Sequence, residues 1–193
     1  MGVVIVAGPS GSGKSHLAAV LGWPVLRLDD FYRDVDAPAM PESSLGLVDW
    51  DDPRSWAASS AVAAIAELCA AGTVEVPIYD IASSRRTGFQ QLDAPEGQFI
   101  AEGLFAPMIV DACREAGVLD QAICLRRQRL VTFTLRLVRD LREGRKPPWI
   151  LMRRGWRLRQ DEPRIVAEAV EHGCEPMSSR AARRLLRAQR SPA

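Results

Sequence analysis

Residues 8–15 read Gly-Pro-Ser-Gly-Ser-Gly-Lys-Ser, and together with their flanks they narrow the fold more than anything else in the chain. The run before them, VVIVA at 3–7, is short, apolar and rich in β-branched residues, as a buried parallel strand would be. The run after them, SHLAAVLG, reads as a short helix stopped at Gly22. Strand, glycine-rich turn and helix in that order fill the pattern GxxxxGK[ST] completely. Gly8, Gly11 and Gly13 let the backbone curl until several N–H groups of the loop, which includes Ser10 and Ser12, converge on one anion. The helix start, at Ser15 and His16, adds the positive end of its dipole. Lys14 is placed to reach β- and γ-phosphates, and the Ser15 hydroxyl to ligate Mg²⁺. The loop is expected to hold a nucleoside triphosphate.

The rest of the chain alternates strand and helix. Strand candidates are residues 24–30 (PVLRLDD), 73–80 (TVEVPIYD), 98–103 (QFIAEG) and 121–127 (QAICLRR). Asp52 can cap a helix with Pro53 in its first turn, running on through SWAASSAVAAIAELCAAG. PMIVDACREAG reads as a further helix, residues 82–97 as a loop, and no fifth strand of the sheet is placed after residue 127. DEPRIVAEAVEHG and SSRAARRLLRAQR read as two closing helices around CEPM. The expectation is a three-layer α/β P-loop NTPase, with a parallel sheet and helices on both faces.

At 193 residues the chain suits a single domain spanning 1–193. Its 47% apolar and 25% charged residues are ordinary for a globular protein. No apolar run reaches the roughly 18–20 residues of a bilayer span, and residues 3–7 lack a cationic lead-in or cleavage site. Cys69, Cys113, Cys124 and Cys174 lie far apart, which argues against a zinc site or disulfide framework. A cytoplasmic protein is expected, without membrane partners; a homo-oligomer is allowed.

The net charge of +1 conceals an asymmetry. Residues 126–160 hold twelve Lys or Arg against two Asp or Glu, a local +10, while the remainder sums to −9. Arg136, Arg139, Arg142 and Arg145 recur every third residue, which on a helix keeps neighbours on one side. A basic lid over a triphosphate, at about 129–160, needs such cations because charge spreads over the transferring group. Nucleic acid is the less favoured partner, since only Phe133, Trp149 and Trp156 interleave with the basic residues.

No NKxD-type guanine motif accompanies the loop, and the chain is short for a motor. Carboxylates do stand at predicted strand ends: Asp29 and Asp30 after the second strand, Glu102 after QFIA. In parallel α/β sheets the carboxyl ends of the strands form the ligand crevice. One such carboxylate can help hold Mg²⁺ and another can take a proton from an attacking hydroxyl. Asp30 reads more readily as a turn residue.

The motifs LDDFYR (28–33), DWDDP (49–53), VPIYD (76–80), AEG (101–103) and RLVRD (136–140) occur in the order seen in uridine kinases, and over roughly residues 1–145 the chain resembles that group. The resemblance implies ATP- and Mg²⁺-dependent phosphoryl transfer to a nucleoside 5′-hydroxyl. It implies that Asp29 activates that hydroxyl, Asp51 holds ribose hydroxyls, Tyr79 lies beside the base and Glu102 lies near magnesium. It likewise makes Arg136 and Arg139 lid arginines on the phosphates, and Tyr32, in the DDFYR motif, a substrate contact. The chain departs from that pattern after VPIYD. Ile81 and Ser84 stand where uridine kinases carry an aromatic ring and a histidine that reads the pyrimidine edge. Members of the wider group act on pantothenate, ribulose phosphate or nicotinamide riboside. Another small metabolite as acceptor, or a regulatory ATPase module without one, therefore stands as the alternative.

Overall fold

The structure is a computed structural model that describes residues 2–9, 11–44, 46–95, 98–126 and 163–189. Residues 129–160, expected to form the basic lid, and Ser10 of the loop lie outside the described residues.

The first strand, β1 (Gly2–Ala7), is buried at every position and runs into the loop; α1 (Lys14–Leu21) follows and ends at Gly22. The chain returns through β2 (Val25–Arg27), a 3₁₀ turn at Leu28–Phe31, α2 (Ala58–Ala71), β3 (Thr73–Asp80) and β4 (Arg85–Asp93). Next come β5 (Gln98–Glu102), α3 (Val110–Glu115) and β6 (Leu119–Arg126). The described chain closes with a helix at 163–171 (α4), β7 (Glu175–Ser178) and α5 (Ser179–Gln189).

The main sheet has the order β2-β5-β1-β6-β7, and every neighbouring pair is parallel. Residues of β1 alternate between two cores, as the two-residue period of a strand requires. Val3, Ile5 and Ala7 pack with Ile65 and Leu68 of α2, Val110 and Cys113 of α3, and Ala169. Val4 and Val6 pack on the other face with Leu17 and Leu21 of α1 and with Ala182 and Leu186 of α5. Three layers follow, as expected, and the sheet's carboxyl ends gather the loop, the 3₁₀ turn and the end of β5 on one rim.

Four local expectations are corrected. Residues 82–97 are not simply a loop, because β4 pairs antiparallel with β3 from Thr73↔Asp93 to Asp80↔Arg85. Almost every β4 side chain is exposed, so its sequence carries no alternating apolar signal, and backbone pairing is what defines it. β3 itself belongs to this two-stranded hairpin and not to the main sheet. The fifth parallel strand is β7, inside the CEPM stretch read as a connection; at four residues on the sheet edge it is too short to show a period. Lastly, Asp52 caps a separate 3₁₀ turn at Pro53–Ser55, accepting the Arg54 N–H at 2.8 Å, while α2 begins only at Ala58.

Candidate active site

The phosphate loop is shaped by two requirements on its glycines. Gly13 sits at φ 100°, a left-handed conformation that starts α1. Gly8 has φ 134°, and a Cβ there would lie 2.7 Å from the Leu125 carbonyl oxygen of β6. The loop closes on itself through the Ser12 N–H to Pro9 O at 3.0 Å. Lys14 Nζ lies back along the loop and donates to the carbonyls of Gly8 at 2.8 Å and Pro9 at 3.4 Å. His16 is exposed in the first turn of α1. Ser12 Oγ is buried with no hydrogen-bond partner, an orphaned polar atom of the kind that awaits a ligand.

A second orphan lies at the end of β5. Ser15 donates its hydroxyl to Glu102 Oε1 at 3.0 Å, whereas Glu102 Oε2 is buried and unpartnered. Glu102 ends β5, the strand next to β1, with Val6 as its register partner. A hydroxyl and a desolvated carboxylate oxygen suit a hard cation such as Mg²⁺. Among the described residues no group of three or more His, Cys, Asp or Glu is placed to hold a metal ion. The protein would therefore supply two ligands and leave the rest to phosphate oxygens and water, as magnesium sites on triphosphates commonly do.

On the other side of β5, Arg27 of β2 is the register partner of Glu102, so the following turn lies beside the same strand end. Leu28, Asp30 and Phe31 of that turn are buried, and Asp29 alone points out. Its Oδ1 accepts the Leu104 N–H at 2.9 Å. The turn is held from behind by Trp56, whose indole N–H donates to the Leu28 carbonyl at 2.7 Å. Asp30 faces inward as a structural turn residue, with Arg27 Nε 3.7 Å away.

Near Asp29 in the chain stands an aromatic cluster. Tyr32 meets Trp50, Tyr79 and Phe105 at ring-centroid distances of 5.7, 5.9 and 5.9 Å. The Tyr32 hydroxyl donates to Trp50 O at 3.3 Å, and Tyr79 donates to Arg33 O at 3.2 Å. Burial, and then the charges of Asp29 and Asp51, push the Tyr32 phenol far above the ordinary tyrosine value, so it remains a neutral donor. Of these neighbours Tyr79 is in ring contact with Tyr32, while Asp29 and Asp51 act on it through their charge. Asp51 is exposed and its backbone N–H donates to Asp49 Oδ1 at 3.1 Å, while the neighbouring cap belongs to Asp52. Asp51 is therefore left over from capping.

The end of the β3–β4 hairpin closes this region. Asp80 accepts from the Ser83 hydroxyl and N–H, forming the turn. Ser84 adopts φ 53°, and its carbonyl accepts the Val35 N–H at 3.0 Å. Ile81 is 75% exposed. Neither side chain supplies a ring or an imidazole to the cluster.

The structure thus brings together Gly8, Gly11, Ser12, Gly13, Lys14, Ser15 and Glu102 on one side, and Asp29, Tyr32, Asp51 and Tyr79 on the other. Arg136 and Arg139, like Ser10, lie outside the described residues. Sequence reasoning passed over Trp50, Phe105 and the Gly103–Leu104 step. Trp50 and Gly103 lie inside DWDDP and AEG, and Leu104 and Phe105 directly follow AEG, so those two motifs are the available signal.

A phosphate-binding loop with carboxylates at the ends of adjacent parallel strands defines the chain as a P-loop kinase. It belongs to the phosphoribulokinase/uridine kinase family, whose model matches residues 3–146. A uridine kinase from Listeria monocytogenes serotype 4a (strain HCC23) is 30% identical over 148 residues, covering 73% of this chain and 68% of that protein. The inorganic pyrophosphatase TTM2 of Arabidopsis thaliana is 35% identical over 109 residues, which are 54% of this chain and only 15% of that protein. A putative fructose transport system kinase from Silicibacter sp. TM1040 shares the fold, with a TM-score of 0.58 at 20% identity over 92% of this chain and 87% of that one.

Proposed function

We propose that the protein transfers the γ-phosphoryl group of ATP to a hydroxyl of a small molecule, a nucleoside 5′-hydroxyl before others. The observation that carries this reading is the placement of Asp29 and the Ser15–Glu102 pair at the ends of β2 and β5, on either side of one strand end. That spacing serves a reaction with an acceptor hydroxyl on one side and triphosphate on the other.

In this reading the loop amides and Lys14 hold the phosphates; Lys14 exchanges its Gly8 and Pro9 carbonyl contacts for phosphate oxygens. Ser15 and Glu102 hold Mg²⁺, which when bound neutralises charge on the β- and γ-phosphates. Asp29 takes the hydroxyl proton, Asp51 binds a pair of sugar or polyol hydroxyls, and Tyr32 and Tyr79 wall the acceptor. Arg136 and Arg139, outside the described residues, are the cations this reading assigns to the transferring group.

A second reading concerns the acceptor's other end. Ile81 and Ser84 offer no ring and no imidazole at the hairpin turn, which favours an acceptor whose base, or its equivalent, is read differently from uridine. An acceptor screen by coupled ADP release decides between the readings. ADP release raised well above the acceptor-free rate by uridine, cytidine, nicotinamide riboside or pantothenate supports a kinase and names its acceptor class. A rate that no acceptor raises would leave the regulatory ATPase alternative in its place.

A further inference from the structure

We propose that Gly103 is a positioning residue for the base. Lacking a side chain, it lets the backbone after β5 close on the Asp29 carboxylate, so that the Leu104 N–H holds Oδ1 and leaves Oδ2 to receive the acceptor's proton. This rests on the reading of Asp29 as the proton acceptor.

Three observations meet at this residue. The Leu104 N–H reaches Asp29 Oδ1 at 2.9 Å. A Cβ on Gly103 would lie 2.7 Å from Leu28 Cβ and 2.8 Å from Asp29 Oδ1, nearer than van der Waals contact allows, and in tight contact with Asp29 N at 3.3 Å. Gly103 is not among the residues with positive φ, so its backbone conformation suits any residue; the space, not the dihedral, excludes a side chain. The turn cannot back away from an added methyl group. Leu28 is fully buried, and its carbonyl is held by the Trp56 indole.

The consequence is a fixed spacing between the two halves of the reaction. Glu102 faces Ser15 and the phosphates; two residues on, the Leu104 amide faces the base. In the transfer, the acceptor oxygen bonds to the γ-phosphorus and the bond from that phosphorus to the β–γ bridging oxygen breaks, releasing ADP. The hydroxyl proton passes to Asp29 Oδ2. Oδ1 is occupied by a backbone donor, which fixes the carboxylate plane and therefore the direction from which Oδ2 receives that proton. A misplacement of about 1 Å in such a geometry can cost roughly 10²-fold in rate.

The test is a double-mutant cycle with uridine as acceptor, joined to hydrogen exchange. Gly103→Ala is expected to lower kcat about 10²-fold while leaving the KM for ATP within about threefold. On an Asp29→Asn background it should cost less than about threefold more, because there is no longer a base to misplace. Wild-type turnover in Gly103→Ala, or its full effect repeated on the Asp29→Asn background, would overturn the proposal. Unimpaired turnover in Asp29→Asn alone would instead overturn the base assignment. Exchange at the Leu104 amide needs neither an acceptor nor a change at Gly103. Asp29→Ala should speed it about tenfold or more, since its partner is gone. Exchange unchanged in Asp29→Ala would sink the proposal even if Gly103→Ala failed to fold or the wild type did not accept uridine.

Discussion

The phosphate side and the proposed acceptor side of this site are built differently. The phosphate side is one contiguous stretch, residues 8–15, completed by a single side chain from a neighbouring strand, Glu102. Its donors are mostly backbone N–H groups and a helix start, which any sequence with the right glycines can present. The acceptor side draws on four separate stretches: the turn after β2, the DWDDP segment, the end of β3 and the residues after β5. Its recognition is by side chains that reach one another only through the fold. A loop made of backbone tolerates little change without losing phosphate binding, whereas a pocket made of side chains can be altered residue by residue. That is why the P-loop class can be read from one stretch, whereas the family takes motifs from several stretches and the acceptor does not follow from any of them.

The largest effect that would break this division lies on the phosphate side. Lys14→Ala removes the cation expected at the β- and γ-phosphates, and transfer should fall by about 10³-fold or more, with weaker triphosphate binding. Turnover close to wild type in this variant, measured by ADP release, would remove the kinase reading altogether. Asp29→Asn should act on the other side alone. It is nearly isosteric but a very poor base, so kcat should drop about 10²-fold with triphosphate binding retained. Loss of nucleotide binding, with normal turnover at saturation, would show that Asp29 belongs to the phosphate side instead.

The legibility of the molecule follows the same division. GPSGSGKS with a strand before it and a helix after it can be read locally, because each feature lies within a few residues of the next. Glu102 and Asp29 were legible as strand ends, since parallel sheets place their carboxyl ends on one rim. Trp50, Phe105 and Gly103 were not, because nothing in their own spacing marks them. Phe105 acquires its role only when β5 lies beside β2, and Gly103 only because Leu28 and Asp29 approach it across the sheet. β4 and β7 were missed for a different reason: one is exposed on nearly every residue, the other is four residues long, and neither shows a period.

A smaller effect would sharpen the comparison from the acceptor side. Asp51 is exposed and free of the capping role that Asp52 fills, and is expected to bind acceptor hydroxyls. Asp51→Ala should raise the acceptor KM by roughly tenfold or more, the scale of a hydrogen bond to a charged group, and leave the KM for ATP unaltered. Equal acceptor KM values in the two proteins would take Asp51 out of the site. With Ile81 and Ser84 at the hairpin turn, wild-type discrimination between uridine and a purine nucleoside should stay well under about 10⁴-fold. A preference of that size would mean that other side chains read the pyrimidine edge.

The smallest expected effect separates Asp30 from Asp29, its neighbour in the same turn. Asp29 faces the site, whereas Asp30 is only 5% exposed. Burial pushes the Asp30 carboxyl above the ordinary aspartate value, and the Arg27 guanidinium beside it opposes this only in part. A carboxyl with a raised folded-state pKa favours folding most when it is protonated in both states, at pH below its unfolded value. That contribution is lost as the pH rises through the folded value, where the buried group must ionise. Near neutral pH the wild type therefore carries a desolvated charge that the Arg27 guanidinium and the Tyr79 N–H compensate only in part. Asp30→Asn removes the charge and keeps the shape, so its Tm should equal or exceed that of the wild type near pH 7. The difference should shrink as the pH falls through the raised folded-state value, because the wild-type carboxyl becomes neutral as well. Thermal unfolding of both proteins across pH 3.5–7.5 checks this. A Tm for Asp30→Asn well below wild type near neutrality, with the gap closing in acid, would mean that the ionised carboxylate supports the turn, and Asp30 would then have to be counted with Asp29 among the groups whose charge the site requires.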